Sequence, residues 1–376
     1  MATVRLTMSQ ALTRWMTAQS IEQLDGSIEP AFAGVWAIFG HGNVAGLGEA
    51  LYGVRDQLPT YRGHNEQSMA HIAIAYAKQK QRRRMMAVTT SIGPGATNLA
   101  TAAALAHVNR LPVLLLPGDV FATRAPDPVL QQVESFADGT VSANDCLRPI
   151  SRYFDRITRP EQLLQALPKA MSVLTDPADC GPVTLGLCQD VQAEAWDYPE
   201  SFFAPRVWHM RRILSDAAEL SRAIEILKSA KRPMIVAGGG VRYSGASQAL
   251  TAFADAAGIP VAATQAGKSS LVETHPMYVG SLGVTGASAA NNLAAKADVV
   301  LSVGSRLQDF TTGSNSLISG QVVALNVQPH DLVKHGAMPL MADALNGIEA
   351  LAAGMAGYRT DDAYQSEIAD EWQGWT

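Results

Sequence analysis

The sequence has few cysteines and no long apolar run. Its three cysteines, Cys146, Cys180 and Cys188, are scattered and lack the spacing of metal ligands. This usage excludes a dense disulfide framework and fits a reducing cytosol, so we expect a cytoplasmic protein. No stretch approaches the ~18 consecutive apolar residues of a membrane span, and the N-terminus has no apolar signal core. We therefore expect no membrane contact.

Charge is also scarce. Charged residues make up 17% of the 376 residues, hydrophobic residues make up 47%, and the net charge is −5. This composition is typical of a globular protein, and the length allows two domains. The basic cluster Arg82, Arg83 and Arg84 follows a predicted helix, where cations interact favourably with the helix C-terminus. We predict a solvated helix end there and no nucleic-acid partner.

Several catalytic signatures are missing. The eight histidines form no His-x-x-x-His pair and no Cys/His set, so we predict no protein-held transition metal in this chain. The sequence also has no Gly-x-Ser-x-Gly elbow, which argues against a serine hydrolase.

Short apolar segments alternate with helical ones along most of the chain. Thr7 and Gln10 fit a capping box that opens a helix ending near Gln19. We predict four strands over the first half, at 35–39, 85–91, 111–118 and 182–187. Their alternation with helices is typical of a mostly parallel sheet covered on both faces, which is a doubly wound α/β fold.

The pattern divides the chain into domains. Residues 1–190 form the first predicted domain, and residues 191–212, with prolines and aromatics, are predicted to be a linker. A second, Rossmann-like domain is predicted over 213–356, with strands at 233–237, 260–263, 299–303 and 322–327. Residues 357–376 are predicted to begin another linker.

An acidic residue, Glu66, stands at the start of a mostly apolar predicted helix. The buried face of this helix is predicted at Met69, Ile72, Ala73, Tyr76 and Ala77. Burying a carboxylate without a partner costs several kcal/mol, so Glu66 indicates a specific polar partner. The alternative is a helix-start charge that gains only from the macrodipole.

The segment after this helix carries a resemblance to a known family. A strand at 85–91, the turn 93–98 (Gly-Pro-Gly-Ala-Thr-Asn), a helix and another strand follow Glu66 in order. This order resembles the pyrimidine-binding domain of thiamine-diphosphate enzymes, in the acetohydroxyacid synthase and pyruvate oxidase group. The resemblance implies that Glu66 hydrogen-bonds N1′ of the aminopyrimidine. It also implies that the turn lines the cofactor pocket through Gly93, Pro94, Gly95 and Asn98, with Asn98 opening the next helix.

Further blocks narrow the resemblance to the trihydroxycyclohexane-1,2-dione hydrolases of myo-inositol catabolism. These blocks lie at 34–46, 65–67, 110–119, 126–132, 144–155 and 265–268. They imply thiamine diphosphate and Mg²⁺ as cofactors and hydrolytic C–C cleavage of a cyclic dione to 5-deoxyglucuronic acid. An acetohydroxyacid-synthase-like lyase or 2-oxoacid decarboxylase, and a non-catalytic partner subunit, are the alternatives.

Two further residues are candidates for catalysis. His41, in the segment 40–43 (Gly-His-Gly-Asn), follows a strand end, where doubly wound sheets place ligands. Its imidazole could transfer protons near neutral pH, and a purely structural turn is the alternative reading. Gln131 matches the glutamine that related enzymes place near the thiazolium, with Gln132 as the alternative register.

The family resemblance also implies a third domain, which holds the cofactor's diphosphate. Its Gly-Asp-Gly motif supplies oxygen ligands to Mg²⁺, and the present sequence contains no such tripeptide. We therefore expect the diphosphate-binding domain to be missing from this chain. The resemblance further implies a homodimer or tetramer whose active sites lie between subunits.

We predict that the 376-residue chain alone has no turnover, because it lacks the expected anchor for the diphosphate and Mg²⁺. The purified chain would be incubated with thiamine diphosphate, Mg²⁺ and the cyclic dione, and the acid product measured. Sustained product formation above a protein-free blank would contradict the prediction.

Overall fold

The computed structural model describes residues 2–375, which form two compact units divided between Arg211 and Arg212. Each unit contains a six-stranded sheet in which all neighbouring strands are parallel. The predicted α/β class with two mostly parallel sheets is confirmed. Among the described residues, no helix is both long enough and apolar enough to cross a bilayer.

The first unit contains eleven strands and six α-helices among its described residues. The strands are β1 (Thr3–Thr7), β2 (Gln19–Glu22), β3 (Ile28–Pro30), β4 (Phe32–Ala37), β5 (Thr60–Arg62), β6 (Met85–Thr90), β7 (Val113–Asp119), β8 (Tyr153–Ile157), β9 (Pro182–Cys188), β10 (Ala195–Pro199) and β11 (Arg206–Trp208). The helices are α1 (Met8–Thr17), α2 (Glu49–Gly53), α3 (Glu66–Gln79), α4 (Pro94–Thr97), α5 (Ala100–Asn109) and α6 (Leu163–Leu174). A π-helical turn, Val44–Gly48, precedes α2.

The main sheet of this unit has the strand order β5-β4-β6-β7-β9-β8. Strands β6, β7 and β9 are buried at every residue, which requires cover on both faces of the sheet. Leu12 and Met16 of α1 and Leu167 of α6 belong to the core on one face. The predicted capping box of α1 is confirmed, because Thr7 Oγ1 accepts from the Gln10 N–H and Gln10 Oε1 accepts from the Thr7 N–H.

The second unit contains six strands and eight α-helices among its described residues. The strands are β12 (Pro233–Ala237), β13 (Val261–Ala263), β14 (Tyr278–Ser281), β15 (Val299–Val303), β16 (Gln321–Asn326) and β17 (Met338–Met341). The helices are α7 (Ala217–Ser229), α8 (Gly239–Tyr243), α9 (Ser247–Ala257), α10 (Ser288–Lys296), α11 (Asp309–Thr312), α12 (Pro329–Leu332), α13 (Ala344–Gly354) and α14 (Asp362–Trp375). The strand order is β14-β13-β12-β15-β16-β17.

Neighbouring residues along a strand of the second sheet belong to two separate cores, because successive side chains lie on opposite faces of a sheet. Met234 and Val236 of β12 belong to one core, whereas Ile235 and Ala237 belong to the other. Helices therefore cover both faces of this sheet, as expected for a doubly wound domain.

The prediction of a linker over 191–212 is wrong for most of its length. Strand β10 pairs antiparallel with β1, and β11 pairs parallel with β2, so the segment is folded into the first unit. The aromatics that suggested a packed segment do pack, with Tyr198 fully buried and Phe202 stacked on Trp15. Their apolar area is what holds the segment in place.

The prediction that 357–376 begins a linker is also wrong for the described part of this segment. Helix α14 buries Tyr364 and Ile368 in the second unit. The Tyr364 hydroxyl donates to the Pro233 carbonyl at 3.0 Å, and Arg232 pairs with Glu367 at 2.9 Å. A helix with buried apolar residues and specific polar contacts is part of the domain.

The prediction of a solvated helix end at residues 82–84 is wrong as well. Arg82 and Arg83 are only 8% and 6% exposed. Arg83 donates to the Glu22 carbonyl at 3.0 Å, and Arg84 pairs with Glu29 at 2.8 Å. These guanidinium groups fasten the end of α3 and the start of β6 to neighbouring chain segments.

We predict that Ile368→Ala destabilises the second unit by about 2–5 kcal/mol, the usual cost of removing a buried isoleucine side chain. Gln373→Ala on the exposed side of the same helix is the control, and its effect should stay within about 0.5 kcal/mol. Thermal and urea unfolding of the two variants measure the difference. Equal stability of both variants would show that α14 does not contribute to the core.

Candidate functional site

The first sheet has a topological switch point between β4 and β6. From β4 the chain goes to β5 on one side of the sheet and then to β6 on the other side. The loops that leave the carboxyl ends of β4 and β6 lie at this point, which is where open α/β sheets usually bind ligands. The candidate residues predicted from the sequence lie on or near these loops.

The turn after β4 is held by the buried amide of Asn43. Its Nδ2 donates to the Ile38 carbonyl at 3.0 Å and to Thr89 Oγ1 at 3.1 Å, and its Oδ1 accepts from the Gly40 N–H at 2.9 Å. A Cβ on Gly42 would lie 2.8 Å from the Ile92 nitrogen, so only glycine allows the turn to approach the next loop this closely. The turn that carries His41 is thus fixed against the β6 loop.

Glu66 is the first residue of α3, which the Asn65 side chain caps by accepting from the Ser68 N–H at 2.8 Å. The side chain of Glu66 is half-buried, and its Oε2 accepts from Asn98 Nδ2 at 2.8 Å. Its Oε1 faces the turn, where a Cβ on Gly95 would lie only 3.2 Å away. The carboxylate therefore has the polar partner that its sequence context predicts, together with the favourable helix-start position.

The turn 91–98 is shaped by Gly93 and Pro94. Gly93 has φ +65°, and a Cβ at this position would collide with the Gln131 carbonyl oxygen. Pro94 begins α4, where its missing N–H costs no hydrogen bond. The prediction that Asn98 opens the next helix is wrong, because Asn98 ends α4 and its side chain turns back to Glu66.

The predicted buried face of α3 is partly wrong. Met69, Ala73 and Ala77 are buried, but Ile72 is 45% exposed and Tyr76 is half-buried. Ala70 and Ile74 are buried in their place, so the buried face is rotated towards them. Ile72 is exposed on α3, and Leu105 and Val108 are exposed on α5, a helix that contacts α3.

His41 contacts the short segment after β7 in which Gln131 lies. The imidazole Nε2 of His41 lies 2.7 Å from the Leu130 carbonyl oxygen. Gln131 is exposed and has φ +61°. Gln132 Oε1 accepts from the Val129 N–H at 2.9 Å, which commits that amide to the local turn. Of the two glutamines, Gln131 thus has the more exposed side chain.

An ion-pair network at the end of β7 was not predicted from the sequence. Buried Asp119 accepts from Arg156 Nε at 2.7 Å, and Arg156 Nη2 donates to Asp145 at 3.1 Å and to Ser142 Oγ at 2.6 Å. Burial opposes the charge of Arg156, but the two carboxylates outweigh it and raise the pKa of the guanidinium. Asp119 and Arg156 are 37 positions apart, so no local motif could have paired them.

The glycine-rich turn after β12 has a packing explanation. A Cβ on Gly240 would lie 2.6 Å from the Gly304 Cα, and the Gly240 N–H donates to the Gly304 carbonyl at 3.0 Å. The glycines thus allow two turns of the second sheet to touch. Among residues 2–375, no group of three His, Cys, Asp or Glu side chains could hold a metal ion.

Comparison with known families gives this geometry a context. The chain matches the model of the thiamine pyrophosphate enzyme N-terminal TPP binding domain over residues 33–138 and that of the central domain over 220–351. The chain belongs to the thiamine pyrophosphate enzymes. The candidate residues His41, Glu66 and Gln131 and the turn 93–98 all lie within the matched N-terminal domain.

The chain is also similar to curated proteins along its whole length. It is 49% identical over 376 residues to a protein of Geobacillus thermodenitrificans (strain NG80-2), covering 100% of this chain and 58% of the relative. It is 47% identical over 378 residues to proteins of Bacillus cereus (strain AH820) and Bacillus thuringiensis (strain Al Hakam), again covering 58% of each. All three relatives are named 3D-(3,5/4)-trihydroxycyclohexane-1,2-dione hydrolase. The chain thus spans 58% of the length of these relatives.

We predict that Gly93→Ala destabilises the first unit by about 2–5 kcal/mol, because the new Cβ combines an unfavourable φ with a clash against the Gln131 carbonyl. Gly53→Ala is the matched control: Gly53 is exposed at the end of α2, and a Cβ there meets nothing within 4 Å. That control should be neutral or stabilising by up to about 1 kcal/mol. Urea unfolding measures both, and a mild effect of Gly93→Ala would refute the close contact.

Proposed function

We propose that this chain holds the aminopyrimidine of thiamine diphosphate at Glu66 and serves a hydrolase that opens a cyclic 1,2-dione by C–C cleavage. The substrate we propose is 3D-trihydroxycyclohexane-1,2-dione and the product is 5-deoxyglucuronic acid, a step of myo-inositol catabolism. The names of the similar proteins support the substrate. The observation that carries the cofactor assignment is the carboxylate of Glu66 at the switch point of the first sheet.

The residues around Glu66 fit an aromatic ring with a nitrogen at its edge. Asn98 holds one carboxyl oxygen at 2.8 Å and so fixes the plane of the group. The other oxygen faces Gly95, where a Cβ would lie only 3.2 Å away, so the glycine leaves this oxygen uncovered by a side chain. A carboxyl in this position can share a proton with a ring nitrogen, and the half-buried setting strengthens the bond.

Each of these residues has a defined task in this proposal. Glu66 holds a proton at the pyrimidine nitrogen, and the turn 93–98 supplies backbone walls that limit the access of water. Gln131 is exposed beside the turn, with its amide free to hydrogen-bond an oxygen of the dione. Thiamine diphosphate, when bound, supplies the electron sink that breaks a C–C bond next to a carbonyl.

We further propose that the diphosphate and Mg²⁺ are held outside this chain, within the part of the full-length protein that corresponds to the rest of its relatives. We propose a homodimer or tetramer, and the exposed apolar residues Ile72, Leu105 and Val108 on contacting helices α3 and α5 support such an interface. A cytoplasmic location remains our proposal, since Cys146, Cys180 and Cys188 are free thiols.

We predict that Glu66→Gln in the full-length protein lowers the rate of dione cleavage by more than tenfold and leaves the fold intact. Glutamine keeps the size of the side chain and can still accept from Asn98, but it cannot share an acidic proton with the ring nitrogen. Product formation measures the rate, and circular dichroism with thermal melting checks the fold.

The control for this experiment is Glu49→Gln, which removes an exposed carboxylate from α2 in the same unit. It should leave the rate within about twofold of the parent, as surface substitutions usually do. Parallel assays with pyruvate test the lyase or decarboxylase alternative. Turnover of pyruvate without turnover of the dione would refute the proposed substrate, and an unchanged rate in Glu66→Gln would refute the role of the carboxylate.

A further inference from the structure

A long segment crosses the carboxyl edge of the first sheet and is anchored at both ends. We call residues 122–141 the strap. At its start, the backbone N–H groups of Ala122 and Thr123 donate to the Asp190 carboxylate at 2.9 and 3.1 Å. Near its end, the Thr140 carbonyl accepts from Arg156 Nη1 at 3.3 Å. Charged side chains thus fix where the strap leaves and rejoins the unit.

The middle of the strap has little cover of its own. It contains no helix or strand, and Leu130 and Phe136 are 69% and 97% exposed. An exposed segment with few apolar contacts opens easily unless specific bonds hold it. Gln131, the proposed contact to the substrate, lies in this middle part, so its position depends on such bonds.

His41 supplies a directional bond at this point. Its Nε2 lies 2.7 Å from the Leu130 carbonyl oxygen, one residue before Gln131. The neighbouring contact between Gly93 and the Gln131 carbonyl is backbone packing, which limits approach but does not hold the strap down. The turn that carries the imidazole is itself fastened by buried Asn43.

The chemistry of this bond restricts what His41 can do. A carbonyl oxygen only accepts, so Nε2 must carry the hydrogen whether the ring is neutral or charged. A nitrogen that donates to a backbone carbonyl cannot act as a base at the same time. We infer that His41 is a positioning residue that holds the strap down and thereby places Gln131 over the site. The role of Gln131 rests on the proposed function, whereas the anchoring of the strap does not.

Substitution at His41 separates positioning from proton transfer. A glutamine amide nitrogen is the same number of bonds from Cβ as His Nε2, and it can donate to the Leu130 carbonyl but cannot shuttle protons near neutral pH. An asparagine amide is one bond shorter, and alanine has no donor. We therefore expect His41→Gln to keep the hydrogen bond that anchors the strap, and His41→Ala and His41→Asn to lose it.

The experiment uses the full-length protein and has two readouts. Hydrogen exchange of peptides from the strap should become roughly three- to tenfold faster in His41→Ala and His41→Asn, the effect of losing one ordinary hydrogen bond. It should return to the parent rate in His41→Gln. The value of kcat/KM on the cyclic dione should follow the same order. Exchange in α9 and α13 of the second unit serves as an internal reference for correct folding.

His209→Ala is the matched control, because His209 is an exposed histidine of the same unit that contacts Glu22 rather than the strap. It should leave exchange in the strap unchanged. Equal strap exchange in His41→Ala and the parent would overturn the inference. The inference would also be overturned if His41→Gln restored strap exchange but left kcat/KM as low as in His41→Ala, because this result would indicate proton transfer. If the parent itself does not cleave the dione, the proposed function fails and exchange alone decides whether His41 anchors the strap.

Discussion

Close backbone contact between loops at the carboxyl ends of β4, β6 and β7 is the constraint on which the candidate site depends. A Cβ on Gly118 would lie 2.7 Å from the Gly42 carbonyl oxygen, and Gly42 itself lies against Ile92. Gly93 extends this packing to the strap. Because backbone atoms form these contacts, the loops cannot approach one another more closely than they do. The half-buried carboxylate of Glu66 therefore faces a wall whose shape is set by the sheet itself.

The second unit has a similar topology, but its switch point differs from that of the first unit. Its switch point lies between β12 and β15, and the turns there touch through Gly238, Gly240 and Gly304. In the first unit the carboxylate of Glu66 faces the turn after β6, whereas in the second unit the described contacts at this point are those between the glycines of the two turns. Similar topology thus carries a candidate cofactor site in one case and a packing contact in the other, which illustrates why function has to be argued from the site.

Continuous apolar segments made much of the fold predictable, since β12 and β15 have the bounds that the sequence indicates. Strand β17 was missed because it contains Pro339, which is tolerated at a sheet edge but weakens the strand signal. Strands β10 and β11 were missed because their partners lie near the other end of the unit's chain. The sequence of its helix predicted that Glu66 has a polar partner. The partner itself, Asn98, lies 32 residues away and is brought to Glu66 only by folding.

Helix α3 connects the site to the opposite edge of the sheet. Its 14 residues span about 21 Å, with Glu66 at one end and the turn to the buried Arg82 and Arg83 at the other. An α-helix behaves as a stiff rod over this length, so it acts as a lever arm. A tilt of about 3° at the arginine end would displace the carboxylate by about 1 Å, which is enough to disturb catalytic alignment. The arginines therefore help to set the position of the Glu66 carboxylate without contacting it.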